Sequence, residues 1–216
     1  MSDPVPVVTI DGPGGAGKGT ISQLLAAKLG WHYLDSGAMY RIAALAATRS
    51  GLDFSDEAAL GNLCRGLAVR FEPAPDMTPR VLLAGRDVSA EIRTEEIGNA
   101  ASRMAAAESV RKALLDRQRG FRTQPGLVAD GRDMGTTVFP NAMFKVFLTA
   151  VPEERALRRH KQLKEKGIET SIMRLARDIA ERDERDASRS ASPLRPAADA
   201  RTVSYTHLTL PTIYPV

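Results

Sequence analysis

The chain has 216 residues, 43% of them hydrophobic and 26% charged, with 30 Lys and Arg against 26 Asp and Glu. That length suits one core with small insertions, and so slight a positive surplus obliges neither a nucleic-acid nor a membrane partner. A single cysteine, Cys64, excludes an internal disulfide and reads as a buried inert thiol; Met1–Pro4 carries no secretory pattern, and the longest apolar run, Ile42 to Ala47, is far too short to span a bilayer, so a cytoplasmic, soluble protein is expected.

In chain order, Val7-Val8-Thr9-Ile10 is a short apolar, β-rich run stopped by Asp11-Gly12-Pro13-Gly14-Gly15, which predicts a buried strand entering a glycine loop. Ile21, Leu24, Leu25 and Leu29 recur at helical spacing, with Gly30 placed as a C-terminal cap. Ser36 is then expected to cap a second helix carrying Tyr40 and Arg41. Leu67–Phe71 and Arg80–Ala84 flank a turn-rich stretch and predict an antiparallel hairpin. Leu127-Val128-Ala129 and Val146-Phe147-Leu148 read as interior strands, and 153–189 as charge-dense helix broken at Gly167. Strands alternating with helices predict an α/β fold, a parallel sheet flanked by helices, with the hairpin as a small inserted lobe.

Gly12-Pro13-Gly14-Gly15-Ala16-Gly17-Lys18 satisfies G-x-x-x-x-G-K between a strand and a helix. Glycines let several backbone N–H groups turn toward one phosphate, the helix N-terminus adds its positive end, and Lys18 adds a point charge. A hydroxyl usually follows the lysine directly to hold Mg²⁺; here Gly19 intervenes and Thr20 carries it, a spacing typical of small-molecule kinases. Asp130-Gly131-Arg132-Asp133 follows a strand, where ligands bind open α/β sheets. Arg132 could bridge two phosphates, Asp133 could accept from a base amino group, and Asp130 is a candidate carboxylate on the Mg²⁺ side. Spacing alone leaves two readings for Arg182, Arg185, Asp186 and Arg189, a solvated helix face or a site, and two for Arg155, Arg158 and Arg159, a lid over ATP or helix decoration.

The segments TIDGPGGAGKGT at 9–20, LDSGAMYR at 34–41, DVSAEIRT at 87–94, ADGRDMGT at 129–136 and ERDERD at 181–186 together resemble the bacterial cytidylate kinases, from about Val7 to Ala200. The resemblance implies a P-loop nucleoside-monophosphate-kinase fold in a single domain: a core of 5–35, 125–152 and 170–200, a monophosphate-binding lobe at about 36–124 and a short lid at 153–169. It implies transfer of the γ-phosphoryl group of ATP to CMP or dCMP, with UMP poorer and Mg²⁺ accompanying ATP. ATP would be held by Gly12, Pro13, Gly14, Gly15, Ala16, Gly17, Lys18, Gly19, Thr20 and Arg158. Ser36, Ser102, Arg111, Asp133 and Arg189 would contact cytosine, Arg41, Arg132 and Arg182 would hold phosphate, and Asp186 would hold the sugar. Lys18, Arg132 and Arg182 would be catalytic.

Residues 201–216 depart from the family's pattern, with Pro211 and Pro215 where a closing helix belongs, so foreign sequence after a frame break and the loss of an edge strand are expected. Competing readings are a kinase of the same fold for another small acceptor, a P-loop switch, and a nucleic-acid binder. The last is disfavoured by one Trp, four Tyr and six Phe, which give few stacking platforms. No nucleic-acid or membrane partner is expected, and the default is a monomer.

Overall fold

The computed structural model describes residues 5–72, 80–165 and 167–204. Five parallel strands form the sheet in the order β2 (His32–Asp35), β6 (Leu127–Gly131), β1 (Val7–Asp11), β7 (Phe144–Thr149), β8 (Arg201–Ser204). Every residue of β1 and β6 is buried, as central parallel strands covered on both faces require. On one face Val8, Ile10, Val128 and Leu148 pack with Ile21, Leu25 and Ala26 of α1 (Lys18–Leu29). Gly30 closes α1 at φ 64, the left-handed conformation that favours glycine.

On the other face Val7, Leu34, Leu127 and Ala129 join a larger cluster with α2 (Ser36–Arg49), α3 (Glu57–Arg65), α4 (Glu95–Met104) and α5 (Glu108–Arg119). The run Ile42 to Ala47 is buried throughout, because α2 is enclosed by the sheet, α3 and α4. Each large apolar side chain so enclosed contributes roughly 1.5–3 kcal/mol. Cys64 is fully buried there, and burial pushes its thiol up to about 11.

The expected hairpin is present as β3 (Val69–Glu72) against β4 (Arg80–Leu83), extended by the two-residue β5 (Arg86–Asp87). Beyond the sheet, α6 (Pro152–Glu165) packs on α7 (Ile172–Ser188) through Ala156, Leu163 and Leu175. No described helix is long and apolar enough to cross a membrane.

Two expectations are corrected. The cap of α2 is Asp35, whose Oδ1 accepts from Ala38 N at 2.8 Å, while Ser36 is the first helical residue. β2 runs into α2 without a loop, so the carboxylate ending the strand reaches the free N–H groups first. The edge strand is also present: β8 pairs parallel with β7 from Val146↔Arg201 to Thr149↔Ser204, where β-branched Thr202 and Val203 suit a strand. Residues 205–216, which carry both prolines, lie outside the described residues.

Candidate active site

The loop between β1 and α1 is shaped by its backbone. A Cβ on Gly12, at φ 148, would lie 1.9 Å from the Leu148 carbonyl oxygen, so only glycine lets the loop leave the sheet here. Gly17, at φ 86, caps α1 with no side-chain hydrogen bond, leaving the helix N–H groups facing the cleft. Lys18 is 6% exposed, and its Nζ donates to Pro13 O at 2.9 Å. Burial, then the Arg132 guanidinium, pushes the ammonium down to about 8, with Asp130 pulling the other way.

Two buried carboxylates end the central strands. Asp130 accepts from Tyr33 Oη at 2.6 Å; burial and then Asp35 raise it to about 7. Asp11 accepts from Met134 N and Gly135 N, both at 2.8 Å, and so ties the root of the phosphate loop to the turn Met134–Val138 after β6. Burial raises Asp11 to about 6 although those two hydrogen bonds oppose it.

Beside this loop lies a cluster of side chains around a cavity of about 40 Å³, lined by Ser36, Tyr40, Ser102, Arg111, Arg132, Asp133, Arg182, Asp186 and Arg189. Arg132 Nε donates to Asp186 Oδ2 at 2.5 Å and Ser102 Oγ to Asp186 Oδ1 at 2.9 Å. Arg111 pairs with Asp133 and stands 5.8 Å over the Tyr40 ring. Thus Asp186 faces inward rather than forming part of a solvated helix face.

Arg132 and Arg182 also overhang the phosphate loop: a Cβ on Gly14 would lie 3.3 Å from Arg132 Nη2 and 3.6 Å from Arg182 Nη1. Burial, then Arg132 and Arg41, lowers Arg182 to about 9. Arg182 Nε and Arg189 Nη2 are buried without a hydrogen-bond partner among the described residues. Such donors, crowded by like charge, make a site for an anion.

A second cavity of about 900 Å³ opens along Gly14–Leu24 and α6, and Arg182 lines both. Arg41 reaches its wall, with Nη1 donating to Ile92 O at 2.7 Å and Thr94 O at 3.0 Å. Thr20 is exposed in the first turn of α1, and Arg158 lines the cleft from α6 with Glu154 3.8 Å away. Arg155 lines this cleft and is not surface decoration of its helix. It is 2% exposed, donates to Gly14 O at 2.8 Å and pairs with Asp183, bracing the loop against α6 and α7. A third cavity, about 800 Å³ and largely apolar, lies between α1, β3 and α5.

Sequence reasoning missed Asp11, Tyr33 and Gln118, and left Arg155 with two readings. Asp11 and Tyr33 sit inside the motifs at 9–20 and next to LDSGAMYR, and position was the available signal. Gln118, whose Nε2 donates to Ser36 Oγ at 2.8 Å, carried none.

Known proteins match this sequence over nearly the whole chain. The family model described as "Cytidylate kinase" matches residues 8–214. A cytidylate kinase of Aeromonas hydrophila is 56% identical over 210 residues, 97% of this chain and 91% of that protein. One of Methylococcus capsulatus is 55% identical with 97% and 94% covered, and one of Nitrosococcus oceani 54% identical with 99% and 95% covered.

Proposed function

The chain belongs to the cytidylate kinase family and phosphorylates CMP or dCMP from ATP, and on that premise we propose how its residues divide the reaction. The backbone of 12–20 and Lys18 hold the β- and γ-phosphates of ATP, with Arg158 on the open side of the cleft. Ser36, Ser102, Arg111, Asp133 and Arg189 receive the cytosine, Asp186 the sugar, and Arg41, Arg132 and Arg182 the acceptor phosphate. The observation that carries this division is the position of Arg132 and Arg182, which span the small cavity and Gly14 of the phosphate loop.

A nucleoside monophosphate is largely dianionic near neutral pH, so its oxygen is already a nucleophile and needs no general base. The barrier is the approach of two anions. A unit pair at 4 Å repels by about 1 kcal/mol in water and about 4 kcal/mol at an effective dielectric of 20. Arg132 and Arg182 offset that repulsion between the two phosphates, and Lys18 with the α1 N–H groups stabilises charge on the transferring group. Among the described residues no group of three His, Cys, Asp or Glu could hold a metal. The buried Asp130 and the Thr20 hydroxyl are hard oxygen donors, which fits a Mg²⁺ that arrives on phosphate and keeps much of its water. When bound, Mg²⁺ would neutralise charge on the phosphates.

We further propose a cytoplasmic monomer whose α6 region at 153–169 closes over ATP and excludes water. Sedimentation at assay concentrations should give a single species of about 23.3 kDa. The deciding experiment is ADP formation from Mg·ATP with CMP, dCMP, UMP, AMP or no acceptor. Turnover selective for CMP and dCMP is expected, and equal turnover with AMP would remove the assignment of the base pocket.

A further inference from the structure

Gln118 is a buried amide that the division above leaves unused. It lies in the last turn of α5, 1% exposed, and its Nε2 donates to Oγ of Ser36, the first residue of α2, at 2.8 Å. Ser36 is 3% exposed and lines the small cavity. A serine hydroxyl offers one proton and two lone pairs. Gln118 occupies one lone pair, and the hydroxyl makes no other hydrogen bond among the described residues. Its proton is therefore left for whatever enters the cavity.

Cytosine and uracil differ at two neighbouring positions. Cytosine presents an amino donor at C4 and an acceptor at N3; uracil presents an acceptor at C4 and a donor at N3. The Asp133 carboxylate lines the same cavity and is an acceptor. A carboxylate and a hydroxyl held as a donor, facing one cavity, complement the cytosine edge and oppose the uracil edge, and a mismatched edge leaves buried polar groups unpaired.

We infer that Gln118 is a specificity-determining positioning residue: by donating to Ser36 Oγ it fixes that hydroxyl as a donor toward the base and selects cytosine over uracil. The inference rests on the reading of Ser36 as a base contact. Its polarity is fixed from 82 residues away.

The test is steady-state kinetics with CMP and UMP at saturating ATP for Ser36→Ala, Gln118→Met and the double variant. Ser36→Ala examines the contact itself and should raise KM for CMP about tenfold. An unchanged KM removes Ser36 from the base site, and Gln118 with it. Given that rise, Gln118→Met should reproduce it, lower the CMP-over-UMP ratio of kcat/KM about tenfold, leave KM for ATP unchanged, and add nothing in the double variant. Additive losses, or an equal rise in KM for ATP, would mean that Gln118 merely packs α5 on α2, overturning the inference while the Ser36 contact stands. Gln118→Glu, assayed at about pH 9 to ionise the introduced carboxyl, keeps the volume but only accepts. Ser36 should then turn its proton to the carboxylate and UMP should gain on CMP; a folded Gln118→Glu protein with an unchanged ratio overturns the inference even if Gln118→Met does not fold.

Discussion

The phosphate loop and the arginine-lined acceptor pocket meet at Gly14 but are built by opposite means. The loop is nine consecutive residues whose shape lies in the backbone, with Gly12, Gly15 and Gly17 at positive φ and one buried lysine bonded to a carbonyl five residues away. The pocket is assembled from α2, α4, α5, the end of β6 and α7. Its bonds join residues 22 apart for Arg111–Asp133, 54 for Arg132–Asp186 and 84 for Ser102–Asp186. A backbone cradle brings charge to one point and loses little stability if that charge is removed. A side-chain network makes each charge depend on its partner, so function and stability there fall together.

Removing the charge from each region is the sharpest way to break that contrast. Lys18→Ala should lower kcat by about a thousandfold or more, since on the proposed division it deletes the loop's cation for the transferring group. Because it also removes an ammonium that burial destabilises, the thermal midpoint should hold or rise. A large loss of stability would mean that the loop is a side-chain structure after all. Asp186→Ala should behave in the opposite way. It strands Arg132 and frees Ser102, so roughly 3 kcal/mol of stability should go together with a raised KM for CMP, while KM for ATP stays unchanged. Urea titration and two-substrate kinetics on the same preparations read both effects.

Asp11 belongs to the seam between the regions, and it gives a pH test. Its carboxyl titrates at about 6 when folded against 3.8 in an ordinary setting, so the folded chain binds the extra proton between those values. Stability from this group is therefore full below about pH 4 and falls as pH rises to 6, the reverse of ordinary acid denaturation. The amplitude is about 3 kcal/mol, at 1.36 kcal/mol for each pH unit between the two values. Asp11→Asn should flatten that fall in urea midpoints measured from pH 4 to 7. A slope the same as in the parent chain would mean that Asp11 is ionised throughout the range.

The same division explains what could be read from the sequence. The strand, loop and helix of 7–29 were legible because the signals that mark them are local, an apolar run, a glycine loop, helical spacing and Gly30 as the cap, even though the strand they start from is paired on both sides by strands distant in sequence. Asp130–Asp133 was legible by position at a strand end, but Asp133 meeting Arg111 and Asp130 meeting Tyr33 across 97 residues depend on the sheet order. Ser102 and Arg111 entered only through resemblance, since a serine in an amphipathic helix and an arginine on an exposed-looking one carry no local sign of a site. Arg155 was left between two readings for the same reason: its helix is charge-dense, and only packing shows which charge turns inward. The edge strand was discounted because the missing closing helix led the whole of 201–216 to be taken as foreign sequence, although Thr202 and Val203 suit a strand.

The smallest expected effect asks whether Asp35 joins the two regions by charge as well as by packing. Asp35 ends β2 opposite Asp130 in the parallel register, caps α2 through Ala38 N, and is the second cause, after burial, of the raised Asp130 value. One residue therefore serves the acceptor helix as a cap and the donor side as a neighbouring negative charge. Asp35→Ala removes both roles and should cost about 1 kcal/mol of stability. Asp35→Asn keeps a capping oxygen and removes only the charge, so stability should change by a few tenths of a kcal/mol. Without the Asp35 carboxylate Asp130 ionises more readily, and the acid limb of kcat/KM for ATP should move to lower pH in both variants. Coupling through charge predicts the same displacement in Asp35→Asn and Asp35→Ala despite their different stabilities. A displacement confined to Asp35→Ala would trace it to the loosened start of α2 and not to the Asp35 charge.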